Sequence, residues 1–234
     1  MIEKFQNQFH ESWLPILTPL IEDARFVNIL QTLVDCEFEP EINNIFRAFK
    51  ETTRDEVRLC ILGMDPYNQK GIATGIAFGN SLDKEGISPS LSIILEELES
   101  IEEFNEWLFF DKLDLLHWCH RGILMLNSAL TVEVGKAGSH QEVWHYFMKE
   151  VLKSLDCPIY LLGKEAQKFK NVNKSIYCYP HPAADTYGDK KLFRGSGIFK
   201  QINKEVRKLT LMQIRVLNDF IRINARRLQV LLLV

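Results

Sequence analysis

No apolar run in this chain approaches the ~20 residues that a membrane-spanning helix requires, and the segment after Met1, Ile2–Gln6, lacks the apolar stretch of a secretory signal. No membrane partner is therefore expected. Cysteine is sparse. Cys36, Cys60, Cys119, Cys157 and Cys178 are scattered, odd in number and without any CxxC pair, which leaves neither a zinc site nor a cysteine-ligated cluster the spacing it needs. Cys60 and Cys178 fall inside expected strands and read as buried free thiols. That usage points to a reducing compartment, cytoplasm or nucleus. Neither GxxxxGK[ST] nor GxGxxG follows a strand pattern, which argues against a phosphate-loop nucleotide enzyme. Internal repeats and low-complexity stretches are absent. Excess positive charge is absent too. The net charge of −3 argues against broad adhesion to nucleic acid, while leaving room for a local basic face.

What is present is an ordinary globular composition, 46% hydrophobic and 25% charged residues over 234 positions. A chain of this length fits one large α/β domain, able to remove roughly 70% of its unfolded surface from water. Four short apolar runs, Val57–Leu62, Gly122–Leu126, Pro158–Leu162 and Lys174–Tyr179, each end in a polar or glycine-rich turn. Asp65, Asn127, Gly163 and His181 stand at or just beyond their carboxyl ends. In an open α/β sheet the crevice outside those ends is where ligands bind. An acid, an amide and a histidine would converge there on a planar, hydrogen-bonding ring.

Residues 1–56 read as helical, with amphipathic stretches at Trp13–Ile21 and Ile42–Phe49. The Gly71–Pro89 loop is too long for an idle connection. Helical periodicity returns at Ser90–Ile101 with Ser90 as N-cap, at Trp107–His120 and at Trp144–Leu155. Strands alternating with helices give an α/β fold, a central mostly parallel four-stranded sheet with helices on both faces. Residues 1–207 are expected to form one domain and 208–234 a helical C-terminal extension. The terminal run Leu228–Val234 could dock on the body, pair with another chain or fray.

Several residues carry chemistry, and each also suits a plain turn. Asp65, in Gly63-Met64-Asp65-Pro66-Tyr67, offers a carboxylate to stabilise positive charge and orient a water, or a structural cap. His181 sits between Pro180 and Pro182, which fix the backbone on either side. As a neutral imidazole it can donate to an oxygen gaining negative charge. Asn127 ends an apolar strand, and its amide can both accept from and donate to a base edge. Tyr67 and Phe78 flank the long loop beside Asp65, where a flat ring could stack on Phe78.

Together these pieces resemble the uracil-DNA glycosylases of the ung type. Gly63–Tyr67 is similar to the family's water-activating motif, Gly75–Phe78 to its uracil-stacking segment and Pro89-Ser90-Leu91 to its proline-serine loop. Leu126–Val132, Ser139-His140, Leu161–Gly163, His181-Pro182 and Phe193–Phe199 follow in the family's order and approximate spacing. The resemblance covers about residues 55–205. It implies the glycosylase-like three-layer fold, hydrolysis of the bond joining uracil to deoxyribose in DNA after base flipping, and no cofactor or metal. It implies Asp65 and His181 as catalytic residues, and Met64 (through its backbone N–H), Tyr67, Phe78 and Asn127 as uracil-binding ones. Single- or double-stranded uracil-containing DNA would be the partner, and a proteinaceous glycosylase inhibitor a further one. Ser88, Ser90, Ser139 and Ser196 are the candidate phosphate contacts, and Lys190, Lys191, Arg194, Lys200 and Lys204 supply local positive charge.

The chain departs from the family pattern in three places. Ala183–Tyr187 replaces the usual loop with its wedging leucine, which puts Asp185 at the wedge position and leaves Tyr187 or Leu192 as substitutes. Asn68 stands where the family usually has histidine, and Met64 where it has glutamine. The tail beyond about Arg207 has no counterpart. A noncatalytic DNA-binding or replication-accessory protein retaining the fold is the alternative reading.

Overall fold

The computed structural model describes residues 5, 7–81, 86–99, 113–186 and 192–205. It divides into two units, Met1–Ser196 and Gly197–Val234. In the first, helices α1 (Leu14–Glu22), α2 (Phe26–Asp35) and α3 (Arg47–Glu51) precede strand β2 (Leu59–Gly63), with the short strand β1 (Phe38–Glu39) between α2 and α3. Helices α4 (Pro89–Glu99) and α5 (Leu116–Cys119) lead to β3 (Ile123–Asn127) and β4 (Val132–Glu133). Helix α6 (Gln141–Lys153) leads to β5 (Ile159–Leu162) and β6 (Ile176–Tyr179). In the second unit residues 198–205 are helical. The expected extension, 208–234, lies outside the described residues.

The central sheet runs β3-β2-β5-β6, and every pairing in it is parallel. The four strands are the four apolar runs, shortened by one or two residues at their starts. Each residue of β2, β3 and β5 is buried, because helices or loops cover both faces of a parallel sheet. Cys60, Leu62, Leu124, Leu126, Ile159 and Leu161 join Trp144, Phe147, Met148, Val151 and Leu152 of α6 in the main core. The alternate residues, Leu59, Ile61, Ile123, Met125 and Tyr160, are buried on the opposite face. Aromatic rings tie the N-terminal segments to this core. Phe46 meets Phe5, Phe9, Trp144 and Phe147 at 5.8–6.2 Å, and Trp13 packs edge-on to Phe49 while donating Nε1–H to Thr52 O.

Register brings the functional ends together. Gly63 pairs with Asn127, Leu62 with Leu161 and Leu162 with Tyr179. The turns that follow, at 64–65, 128, 163 and 180–181, therefore emerge at one edge. The chain leaves β2 towards β3 on one side and β5 towards β6 on the other, so the switch in strand order falls between β2 and β5.

Several expectations need correction. Residues 1–56 are not helical throughout, since Phe38–Glu39 pairs antiparallel with Val132–Glu133, and a two-residue strand leaves no periodic trace. Ile42–Phe49 contains a 3₁₀ turn and only the start of α3. Of Trp107–His120, residues 107–112 lie outside the described set. Among the rest, Leu115 is left-handed (φ 59°) and Asp114 accepts the Leu116 N–H, so helix begins only at Leu116. Ser90 is not the cap of α4. Pro89 opens that helix and Ser88 precedes it, with its carbonyl accepting from Ser92 N–H. Cys178 is exposed, because β6 is the sheet's edge strand and only half-buried.

Candidate active site

A cavity of about 260 Å³ opens at the carboxyl edge of the sheet, and Met64, Asp65, Tyr67, Phe78, Asn127 and His181 all line it. They arrive on four segments, with Met64 and Tyr67 beside Asp65. Asp65 follows β2, Asn127 closes β3, His181 follows β6, and Phe78 comes from the loop between β2 and α4. Two glycines let them converge. A Cβ on Gly63 would stand 2.5 Å from Asn127 Oδ1 and 2.9 Å from Phe78 Cζ, and one on Gly163 would stand 2.8 Å from His181 Cβ.

Asp65 is half-buried, with one carboxylate oxygen, Oδ2, accepting the Gly138 N–H at 2.5 Å. Burial raises its pKa above the ordinary carboxylate value, with the Gly138 N–H opposing and Glu165 adding to the rise. His181 is pushed down to about 4 by burial, which leaves it neutral at physiological pH. Its Nδ1 accepts the Ala183 N–H at 3.1 Å, so the ring proton belongs on Nε2. Phe78 holds a left-handed backbone (φ 64°), a strained state for a bulky residue, and its ring lies 5.6 Å from that of His181. The Tyr67 hydroxyl donates to Phe78 O at 3.1 Å. It also hydrogen-bonds Ser88 and the Leu91 backbone, and burial keeps its pKa raised. Asn127 is only 8% exposed.

The candidate phosphate contacts are more dispersed. Ser90 lines the cavity and is buried. Ser88 is engaged with Tyr67. Ser139 lines a larger neighbouring groove of about 950 Å³, and its Oγ accepts the Glu133 N–H. The Ser196 hydroxyl oxygen is buried without a hydrogen-bond partner among the described residues. Arg194 is turned onto carboxylates, pairing with Glu96 at 2.7 Å and Asp185 at 3.6 Å, so a phosphate would have to exchange with them. Tyr187, Lys190 and Lys191 lie outside the described residues. Asp185 does not face outwards as a wedge would. Its side chain is inaccessible and accepts the N–H groups of Leu192, Phe193 and Arg194.

Sequence reasoning missed Ser128, Gly138 and Gln141. Gly138 precedes the Ser139-His140 pair that resembles the family. Ser128 adjoins Asn127, and Gln141 carried no signal at all.

The family model described as the uracil DNA glycosylase superfamily matches residues 49–207. The uracil-DNA glycosylase of Brevibacillus brevis is 32% identical over 219 residues, 86% of this chain and 92% of that protein. That of Aliarcobacter butzleri is 34% identical over 181 residues, 71% and 83%. Among solved structures, mimivirus uracil-DNA glycosylase superposes with a TM-score of 0.73 at 20% identity, over 87% of this chain and 85% of that one, and a variant of it was solved in complex with UGI. This chain belongs to the uracil-DNA glycosylase superfamily.

Proposed function

We propose that this chain hydrolyses the N-glycosidic bond of deoxyuridine in DNA, releasing uracil and leaving an abasic site, the first step of base excision repair. The observation that carries this reading is one cavity holding a neutral histidine protonated on Nε2, a half-buried carboxylate and a strand-end amide. The base must leave the duplex to reach it, and uracil's weaker pairing in mismatches lowers that cost.

As the bond breaks, the sugar becomes oxocarbenium-like and the departing uracil anionic. Asp65 stabilises the cation and aligns the attacking water, while Gly138 holds its Oδ2. His181 donates Nε2–H to uracil O2 as charge builds there, assisted by the Met64 N–H. One such donor is typically worth ~10²–10³ in rate. The Phe78 ring stacks on the base. Tyr67 closes the space at C5 against thymine's methyl group, and Asn127 accepts from N3–H and donates to O4, whereas cytosine presents the reverse pattern.

The reading takes residues 1–207 as the catalytic domain and 208–234 as an extension. Ser88, Ser90, Ser139 and Ser196 are assigned to DNA phosphates, with Tyr187 and Arg194 as further DNA-binding candidates. A proteinaceous inhibitor is a further proposed partner, supported by the UGI complex of the mimivirus relative. A DNA substrate and free thiols fit cytoplasm or nucleus.

The test is uracil release from matched single- and double-stranded oligonucleotides, with Asp65→Asn as control. Release that collapses in the variant supports the assignment. Folded protein that binds DNA and releases nothing favours the noncatalytic accessory reading.

A further inference from the structure

The Asp65 turn is held by a polar cluster whose two side chains, Ser128 and Gln141, do not line the cavity. Ser128 N–H donates to Gly63 O at 3.0 Å, and Ala129 N–H to Met64 O at 3.1 Å. Gln141 Nε2 donates to the same Met64 carbonyl at 2.7 Å. The Ser128 hydroxyl lies 2.7 Å from Met64 O and 2.8 Å from Gln141 Oε1. Its single proton is shared inside that triangle, which fixes the amide with Nε2 towards the carbonyl and Oε1 towards the hydroxyl.

These contacts fix two consecutive peptide planes. The Gly63–Met64 plane carries the Met64 N–H, and the Met64–Asp65 plane sets where the Asp65 Cα stands. Gln141 opens α6, three residues after Gly138, whose N–H holds the Asp65 carboxylate. Its backbone N–H also donates to Gly138 O at 3.3 Å. Ser128 directly follows Asn127. The cluster therefore joins the three segments that carry the carboxylate, its backbone donor and the base-reading amide.

We infer that Ser128 and Gln141 are positioning residues, which lock the Met64 carbonyl and so hold Asp65 and the Met64 N–H in register with Asn127. The inference rests on the proposed function. Rates of this kind are sensitive to geometry, and a displacement near 1 Å can cost about 100-fold.

The experiment compares Ser128→Ala, Gln141→Ala, their combination and Gln141→Glu with the wild-type full chain, in single-turnover uracil release across pH with melting recorded in parallel. Glutamate keeps the shape of Gln141 but cannot donate to the carbonyl. Expected are kcat losses of about 10-fold or more in Gln141→Ala and Gln141→Glu alike, with KM within about twofold. The combined variant should fall less than the product of the single losses, because both residues serve one carbonyl. The acid limb of kcat, set by Asp65 with Glu165 as its charged neighbour, should move to higher pH as the Gly138 bond loosens. Gln141→Glu at the wild-type rate, or losses that follow melting alone with an unmoved pH profile, would overturn the inference. An inactive wild-type protein would overturn the proposed function and this inference with it, whereas an active wild type with indifferent variants overturns this inference alone.

Discussion

The Ala183 N–H donates to His181 Nδ1 across 3.1 Å, and this one contact assigns the imidazole's proton to Nε2. Protonating Nδ1 would require giving up that bond, on top of the burial that already pushes the group down to about 4. Between this value and the ordinary 6.5 the unfolded chain binds the proton and the folded one does not. The His181 contribution to stability is thus present above about 6.5 and lost as pH falls through about 4. In catalysis the neutral form prevails from pH 6 to 8. The His181 ring should not titrate over that interval, while His181→Ala should lower kcat by ~10²–10³. A His181 ring NMR signal that shifts between pH 6 and 7.5 would show an imidazole titrating near its ordinary value.

Gly63 has no room for a side chain. Its φ is not in the left-handed region, so the obstacle is purely the approach of Asn127 Oδ1 and the Phe78 ring. Both neighbours are buried and cannot swing into solvent. Gly63→Ala should cost about 1–3 kcal/mol by overpacking, read as a melting shift of about 2–4 °C per kcal/mol, and weaken uracil binding out of proportion to stability. Product inhibition by free uracil measures the second effect. A variant that melts lower yet binds uracil normally would place Asn127 and Phe78 outside the base site.

How much of this was legible in the sequence follows from the ranges involved. The parallel strands announce themselves because burial on both faces demands unbroken apolar runs, and Leu59–Gly63 or Ile159–Leu162 cannot be written otherwise. Their ends then placed Asp65, Asn127 and His181. The Phe38–Glu39 strand and the inward turn of Asp185 depend on partners from 7 residues away, at Leu192, to 95, at Glu133, and neither alters local periodicity. Gln141 is the sharpest case. It looks like any polar residue at a helix start, and only the fold brings it to a carbonyl 77 positions earlier.

Asp65 should be costly to stability at neutral pH. Its folded pKa lies above the ordinary 3.8, chiefly through burial, so its contribution is fully present below about 3.8 and lost as pH rises through the folded value. Asp65→Asn removes the buried charge and keeps an oxygen for the Gly138 N–H. The variant should melt higher than wild type at pH 7, with the difference vanishing near pH 3.5, while uracil release collapses. Equal melting at both pH values would mean that the carboxylate is solvated.

Specificity can be inverted at two positions. Asn127→Asp should admit cytosine, whose edge presents a donor where uracil has O4, and Tyr67→Ala should make room for thymine's methyl group. Release of each free base from the matching oligonucleotide is the measurement. If both variants stay folded and release only uracil, the base edge faces other residues.

Asp185 closes the segment that follows it, accepting the N–H groups of Leu192, Phe193 and Arg194. Burial pushes its carboxyl pKa up, but the N–H groups of Phe193, Arg194 and Leu192 outweigh that and leave it below the ordinary value, with Arg194 assisting. Its stabilising contribution is therefore present above about 3.8 and lost as pH falls through the folded value. Asp185→Ala leaves three N–H groups without their acceptor, for about 1–3 kcal/mol in all once water replaces part of it, or a melting drop of roughly 3–10 °C. Asp185→Asn keeps one acceptor oxygen and should lose less. Arg194 would retain Glu96, and Gly195 its bond to Glu97, so the segment should loosen at its Asp185 end alone. Melting of the three proteins at pH 7 and pH 3.5 decides the matter, because the gap between wild type and Asp185→Ala should narrow at the lower pH. A gap that is absent at pH 7, or constant across both, would mean that the carboxylate does not hold residues 192–194 in solution.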